Sequence, residues 1–240
     1  MRGLRWRVAV SMGALVGLYR LVIRPWQMRW GATDDEIAMD LPGDELVAGP
    51  ADQLTRAISI NAPPEEVWRW IVQLGADRGG FYSYDWLENL CGLGIHSADA
   101  VVAEWQKRSV GDLVAANSAR TGGWYVADLR PNDVLVLQMA DVRNGRPADR
   151  TQPPGWEFVW TFALRPDGNG ATRLLVRERV GSASPYVKAV FAPMGIVSFV
   201  MTHKMMLGIK ARVESGERHS GLIASPTSLW CSVVCGRGRR

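Results

Sequence analysis

Cysteine is scarce in these 240 residues, and the three present are poorly placed for chemistry. Cys91 stands alone, and Cys231 and Cys235 are four apart, not the C-x2-C spacing of zinc or redox sites. No metal and no cofactor is expected from this set. The catalytic signatures G-x-S-x-G, H-E-x-x-H, the P-loop and the Rossmann fingerprint are all absent. Ser/His/Asp chemistry therefore has no support in the sequence. A long uninterrupted apolar run is missing as well. Residues 8–19 are uncharged and mostly apolar, but a bilayer-spanning helix needs about 20 such residues. Counting through Arg20, whose long side chain can snorkel, extends the run to Ile23.

Acid is absent from the first 30 residues, which carry six arginines. The last 24 residues carry four arginines and one glutamate. The net charge of +4 thus sits in the two ends, and residues 31–216 are net acidic. A globular nucleic-acid binder places its basic face on the folded domain, so no nucleic-acid partner is expected. Basic ends suit anionic lipid at least as well. Residues 1–30 are read as a possible membrane contact, with three forms open: a short anchor, an interfacial helix, or a helix packed on the domain. The protein is expected to be membrane-associated with a cytoplasmic domain, or cytoplasmic.

What the chain has is hydrophobic and aromatic residues, including eleven tryptophans. Tryptophan suits cores and pocket walls, because a large apolar ring carries one polar N–H. Residues 31–53 are acidic, contain Pro and Gly, show little periodicity and read as a linker. From Leu54, LTRAISINA reads as a strand with Ile58 and Ile60 on one face. Asn61 is expected to cap a helix with Pro63 and Pro64 in its first turn and Glu65 and Glu66 at its positive end. Val67, Trp68, Ile71 and Leu74 mark that helix's buried face. A second helix follows around 84–91.

Strand runs come next: 110–116, 123–129, 133–140, 156–164 and 172–180, with turn residues between them. Strands in series favour an antiparallel meander over βαβ units. A long helical region from Ser184 to about Glu214 closes the pattern, with Pro193 and Gly195 expected to kink or break it and Gly216 to end it. The last segment, 217–240, reads as a flexible basic tail. The fold class is therefore α+β: a curved antiparallel sheet wrapped around a long C-terminal helix, with two short helices after the first strand. The ligand-binding domain spans 54–216.

The stretch INAPPEEVWRWIVQLGADRGGFYSYDWLENL, from Ile60 to Leu90, resembles the SRPBCC superfamily, the START-like and polyketide cyclase/dehydrase-like helix-grip proteins. GGFYSYDWLENL is the part similar to one bacterial branch. The resemblance spans about residues 30–214. It implies a helix-grip fold with an internal cavity for a small hydrophobic molecule, a lipid or polyketide-like compound. It does not imply one function, since the superfamily holds carriers, receptors and cyclases.

Candidate site residues follow from face and spacing. Asp85 and Glu88 have the three-residue offset of a capping box, which would explain both acids. The functional alternative sets Tyr82, Tyr84 and Trp86 at the cavity mouth with Asp85 or Glu88 toward the ligand. On the strand 156–164, Phe158 and Trp160 share the face expected to look inward, and Trp124 lies on the strand 123–129. On the strand 172–180, Glu178 falls on the apolar face beside Leu174 and Val176, which is unusual for a carboxylate. It is either a site residue, a salt-bridged group, or displaced by a register change. Met194, Met201 and Met205 of the long helix offer a pliable cavity wall. Candidates for general acid–base work are Glu178, His96 and Glu88, and His203 falls near the buried stripe of the long helix. The leading expectation is binding or transport of a small hydrophobic ligand. The alternatives are a cyclase/dehydrase-type enzyme and a membrane-tethered interaction module.

Overall fold

Runs of β-branched and aromatic residues broken by tight turns build seven antiparallel strands. The computed structural model describes residues 11–14, 17–152, 155–182 and 185–223, apart from the side chains of 185–194 and 217–223. In chain order the elements are α1 (Arg24–Met28), α2 (Asp34–Ala38), β1 (Asp52–Ile60), α3 (Pro64–Val72), α4 (Asp85–Leu90), β2 (Leu113–Ala115), β3 (Gly123–Arg130), β4 (Val134–Asp141), β5 (Arg146–Pro147), β6 (Trp156–Pro166), β7 (Thr172–Ser182) and α5 (Pro185–Ile223). The sheet order is β1-β7-β6-β4-β3-β2, with β5 paired to β4. The first strand therefore pairs with the last, and the curved sheet grips the long helix, a helix-grip-like α+β architecture.

Period-two alternation divides the two faces. Ile60, Trp160, Phe162, Leu164, Leu174 and Val176 face inward and pack with Met205, Met206, Ile209 and Val213 of α5. Ala57, Val134, Val136, Val159, Ala163 and Leu175 face outward into a second, smaller core. That second core needs a cover, and the supposed linker supplies it. Segment 31–53 is packed, not free. Thr33 and Glu36 form a reciprocal capping box on α2, and Leu41 and Val47 are buried against the outer sheet face. Its acids meet the outward arginines of β7. Arg173 pairs with Glu36 at 2.7 Å, and Arg177 pairs with Asp44 at 2.6 Å. Arg177 also donates to the backbone oxygens of Met39, Glu36 and Ile37 at 2.8–3.1 Å. Low periodicity hid this strap because it holds by charge and backbone bonds, not by one apolar stripe.

Two helix boundaries also differ from the sequence expectation. Asn61 lies two residues before the true N-cap of α3, which is Pro63, and its N–H instead donates to Glu214 Oε1 at 3.0 Å. The long helix α5 runs through Pro193 and Gly195 without a break and continues past Gly216 to Ile223. Gly216 does not take the left-handed backbone that would stop it. Of the expected tail, 224–240 lie outside the described residues.

The N-terminal segment packs on the domain where it is described; residues 1–10, 15 and 16 lie outside the description. Trp26 meets Phe199 at 5.1 Å and Trp30 meets His203 edge-on at 4.3 Å between ring centroids. Arg24 pairs with Asp52 at 2.7 Å, and Arg56 Nε donates to Gln27 O at 3.0 Å. Leu21 and Met12 remain mostly exposed. Among the described residues, no helix is long and apolar enough to cross a membrane.

Candidate functional site

The inner face of the sheet, α1, α4 and α5 line a half-open cavity of about 550 Å3. Its wall is mainly apolar. Trp124 of β3 and Phe158 and Trp160 of β6 stand on it with Phe81, the residue after the glycine pair. Trp124 and Trp160 are 5.4 Å apart between ring centroids, and Phe81 stacks on Trp160 at 6.3 Å. Met139 of β4 and Met201 and Met205 of α5 fill the remaining wall with flexible thioethers. Tyr19 and Met28 close the side nearest the N-terminus.

The turn GGFYSYDW decides which aromatics reach the cavity. Gly80 has φ +70°, and a Cβ there would lie 2.7 Å from the His96 carbonyl oxygen, so only glycine fits. Tyr82 also takes the left-handed region, at φ 55°. This twist sends Phe81 and Ser83 to the cavity and Tyr82 away from it. The Tyr82 hydroxyl donates to Trp70 O at 3.1 Å and accepts from Gln73 Nε2 at 2.9 Å. Burial pushes its pKa up to about 12, although the Gln73 bond acts the other way. The long helix comes close here: a Cβ on Gly208 would lie 2.4 Å from Tyr82 O.

The capping-box reading of Asp85 and Glu88 does not hold. Tyr84 is the N-cap of α4 and makes no side-chain cap. The Asp85 carboxylate instead accepts from Ser97 N and Ser97 Oγ, each at 2.6 Å, and so fastens the following loop. Glu88 turns the other way, into the cavity. It is 6% exposed, and its Oε2 is buried with no hydrogen-bond partner. Burial first, and the Asp85 charge second, push its pKa from 4.5 up to about 7.

Glu178 has the opposite character. It is buried on the cavity wall, on the face where alternation placed it, and directly across from Trp160 in the β6–β7 register. Arg56 Nη1 donates to it at 2.7 Å, Thr202 Oγ1 at 2.8 Å, and Ser198 Oγ donates to its other oxygen. A carboxylate with three donors is a satisfied structural group. Arg56, Ser198 and Thr202 escaped the sequence reading. Arg56 carried a signal: it shares the inward face of β1 with Ile58 and Ile60, as Glu178 shares that of β7, and two opposite charges on facing apolar stripes invite pairing.

Of the other expected site residues, Glu88, Trp124, Phe158, Trp160, Glu178, Met201 and Met205 come together on this one cavity. Tyr82, Tyr84, Trp86 and His96 do not line it. Trp86 is 69% exposed, since α4 turns it to solvent when it turns Glu88 inward. The Tyr84 ring lies under Lys204 Nζ at 5.7 Å, and His96 is exposed on its loop. The side chain of Met194 lies outside the described residues. His203 packs between Trp30 and Phe199, and burial and the Arg56 charge lower its pKa. Among the described residues, no group of three His, Cys, Asp or Glu side chains is placed to hold a metal ion.

No family model matches the sequence, and no curated protein matches it. Solved structures do. The crystal structure of protein MLL2253 from Mesorhizobium loti, a structural-genomics target, is 15% identical with a TM-score of 0.40, covering 68% of this chain and 98% of that one. A solution structure from Arthrobacter aurescens, also a structural-genomics target, is 17% identical with a TM-score of 0.39, covering 70% and 92%. Protein Ms6760 from Mycobacterium smegmatis is 13% identical with a TM-score of 0.37, covering 73% and 93%.

Proposed function

We propose that the protein binds or carries a small hydrophobic molecule, lipid or polyketide-like, in the cavity between the sheet and α5, in the manner of an SRPBCC helix-grip protein. The observation that carries this reading is the cavity itself: about 550 Å3 walled by Phe81, Trp124, Phe158, Trp160 and methionines, with few polar groups. Small-molecule sites have this size and this composition. At about 25 cal/mol per Å2, a ligand burying on the order of 300 Å2 of apolar surface gains about 7.5 kcal/mol before the costs of association. The test is titration with 1-aminoanthracene, whose emission rises in apolar surroundings. Wild type should bind one equivalent, and Met139→Trp, which fills the cavity from β4, should bind much less while keeping its fold. Equal binding by both would place the probe elsewhere and remove the reading.

Glu88 supports a second reading, a cyclase/dehydrase-type enzyme. A carboxyl group with a pKa near 7 in a desolvated cavity suits general acid–base work at neutral pH. Of the three acid–base candidates, His96 lies outside the cavity and Glu178 is saturated with donors, so Glu88 alone has free capacity. Loss of turnover in Glu88→Gln with ligand binding retained would favour this reading over a carrier.

A further inference from the structure

Two side chains on the cavity wall each carry a buried polar atom without a partner. Glu88 is 6% exposed, and its Oε2 is buried without a hydrogen bond. Trp160 is 9% exposed, and its indole Nε1–H is likewise buried without a bond. Both side chains line the same cavity. Leaving such atoms unsatisfied costs about 1–3 kcal/mol each, so a packed core normally avoids them. The neighbouring Glu178 shows that this fold satisfies a cavity carboxylate when it needs to: three donors converge on it. The two open atoms differ in what they need. An indole N–H only donates, so it calls for an acceptor. A carboxylate accepts, so it calls for a donor, and its protonated form can also donate. A pure hydrocarbon would satisfy neither.

We propose that the ligand is a neutral amphiphile carrying two separated oxygen functions: a hydroxyl that bonds to Glu88 and a second oxygen, carbonyl or hydroxyl, that accepts from Trp160 Nε1–H. This rests on the cavity-binding reading and narrows its ligand class. The apolar body lies against Phe81, Trp124 and the α5 methionines, and the two oxygens fix its direction. A charged head group is disfavoured, because the mainly apolar wall would strip its water.

The test uses displacement of 1-aminoanthracene from the full chain by dodecane-1,12-diol and by tridecane, a hydrocarbon with no oxygen. The variants are Glu88→Leu, which removes the acceptor, and Trp160→Phe, which keeps a ring and removes the N–H. Each should weaken the diol about tenfold, the worth of one hydrogen bond to a buried or charged group. Tridecane should lose clearly less than the diol in each variant, so the diol-to-tridecane affinity ratio reads the lost hydrogen bond, and retained tridecane binding reports that the cavity remains folded. Glu88→Gln, which keeps an acceptor, should recover most of the loss at that position. Equal changes for diol and tridecane, or loss at only one of the two positions, would overturn the two-point ligand while the cavity reading stands. Failure of wild type to bind 1-aminoanthracene at all would remove both.

Discussion

Replacing Glu88 by Gln should change how stability depends on pH, and the sign follows from the site. Burial raises the folded-state pKa of Glu88 to about 7 from an ordinary 4.5. Between those values the folded protein holds a proton that the unfolded chain has lost. Stability therefore falls as pH rises through this window, and the contribution is fully present only below about 4.5. At about 1.4 kcal/mol for each tenfold change in proton affinity, the whole window is worth about 3 kcal/mol. Gln cannot ionise, so this component vanishes in the variant. Urea unfolding at closely spaced pH values from 4 to 8.5 measures the effect directly. The stability difference, Glu88→Gln minus wild type, should grow in favour of the variant by about 3 kcal/mol between pH 4.5 and pH 8. Because both proteins share every other titrating group, the subtraction isolates Glu88. Parallel pH profiles would refute the reasoning, since they would mean that Glu88 is solvated or paired when folded.

Other expected outcomes concern the framework around the cavity. Glu178→Leu or Arg56→Met alone should cost about 3–5 kcal/mol in denaturant unfolding by stranding the buried partner, and the double variant should cost far less than their sum; additive losses would deny the pairing. Gly208→Ala should destabilise by about 1–3 kcal/mol, because the new methyl group meets the Tyr82 carbonyl; an unchanged melting temperature would contradict that approach of α5 to the turn. Arg177→Met removes the ion pair to Asp44 and three backbone bonds, and should speed limited proteolysis within 31–48 while the rest of the domain stays protected. Deleting residues 1–30 strips Trp26 and Trp30 from α5 and should cost at least about 2 kcal/mol of stability; the fraction of truncated chain recovered with membranes then reports whether this segment also supplies membrane contact.

The sheet was legible in the sequence because alternation is a local signal. Phe158, Trp160 and Phe162 occupy the inner face that period two assigns them, and so do Leu174 and Val176. Glu178 stood out for the same reason, as a charge on an apolar stripe. Glu88 was a candidate with a rival explanation, because its offset from Asp85 imitates a helix cap; only the loop partner Ser97, twelve residues beyond Asp85, shows that the Asp85 carboxylate does not cap. The aromatic turn misled in a related way. Phe81 and Ser83 reach the cavity while Tyr82, Tyr84 and Trp86 do not, and the directions in this turn depend on two left-handed residues, Gly80 and Tyr82, that no periodicity encodes. The strap over the outer face was invisible for a third reason. Its contacts pair acids and arginines more than 130 residues apart, as in Arg177 with Asp44. Long-range charge complementarity leaves no local pattern.

The central claim is that the cavity holds a small hydrophobic molecule. Native mass spectrometry of the full chain isolated from its own host tests it most directly. The account predicts a stoichiometric adduct of a few hundred daltons that denaturation releases, with at least two oxygen atoms in its elemental formula. A bare protein mass, under conditions where added 1-aminoanthracene also fails to bind, would contradict it.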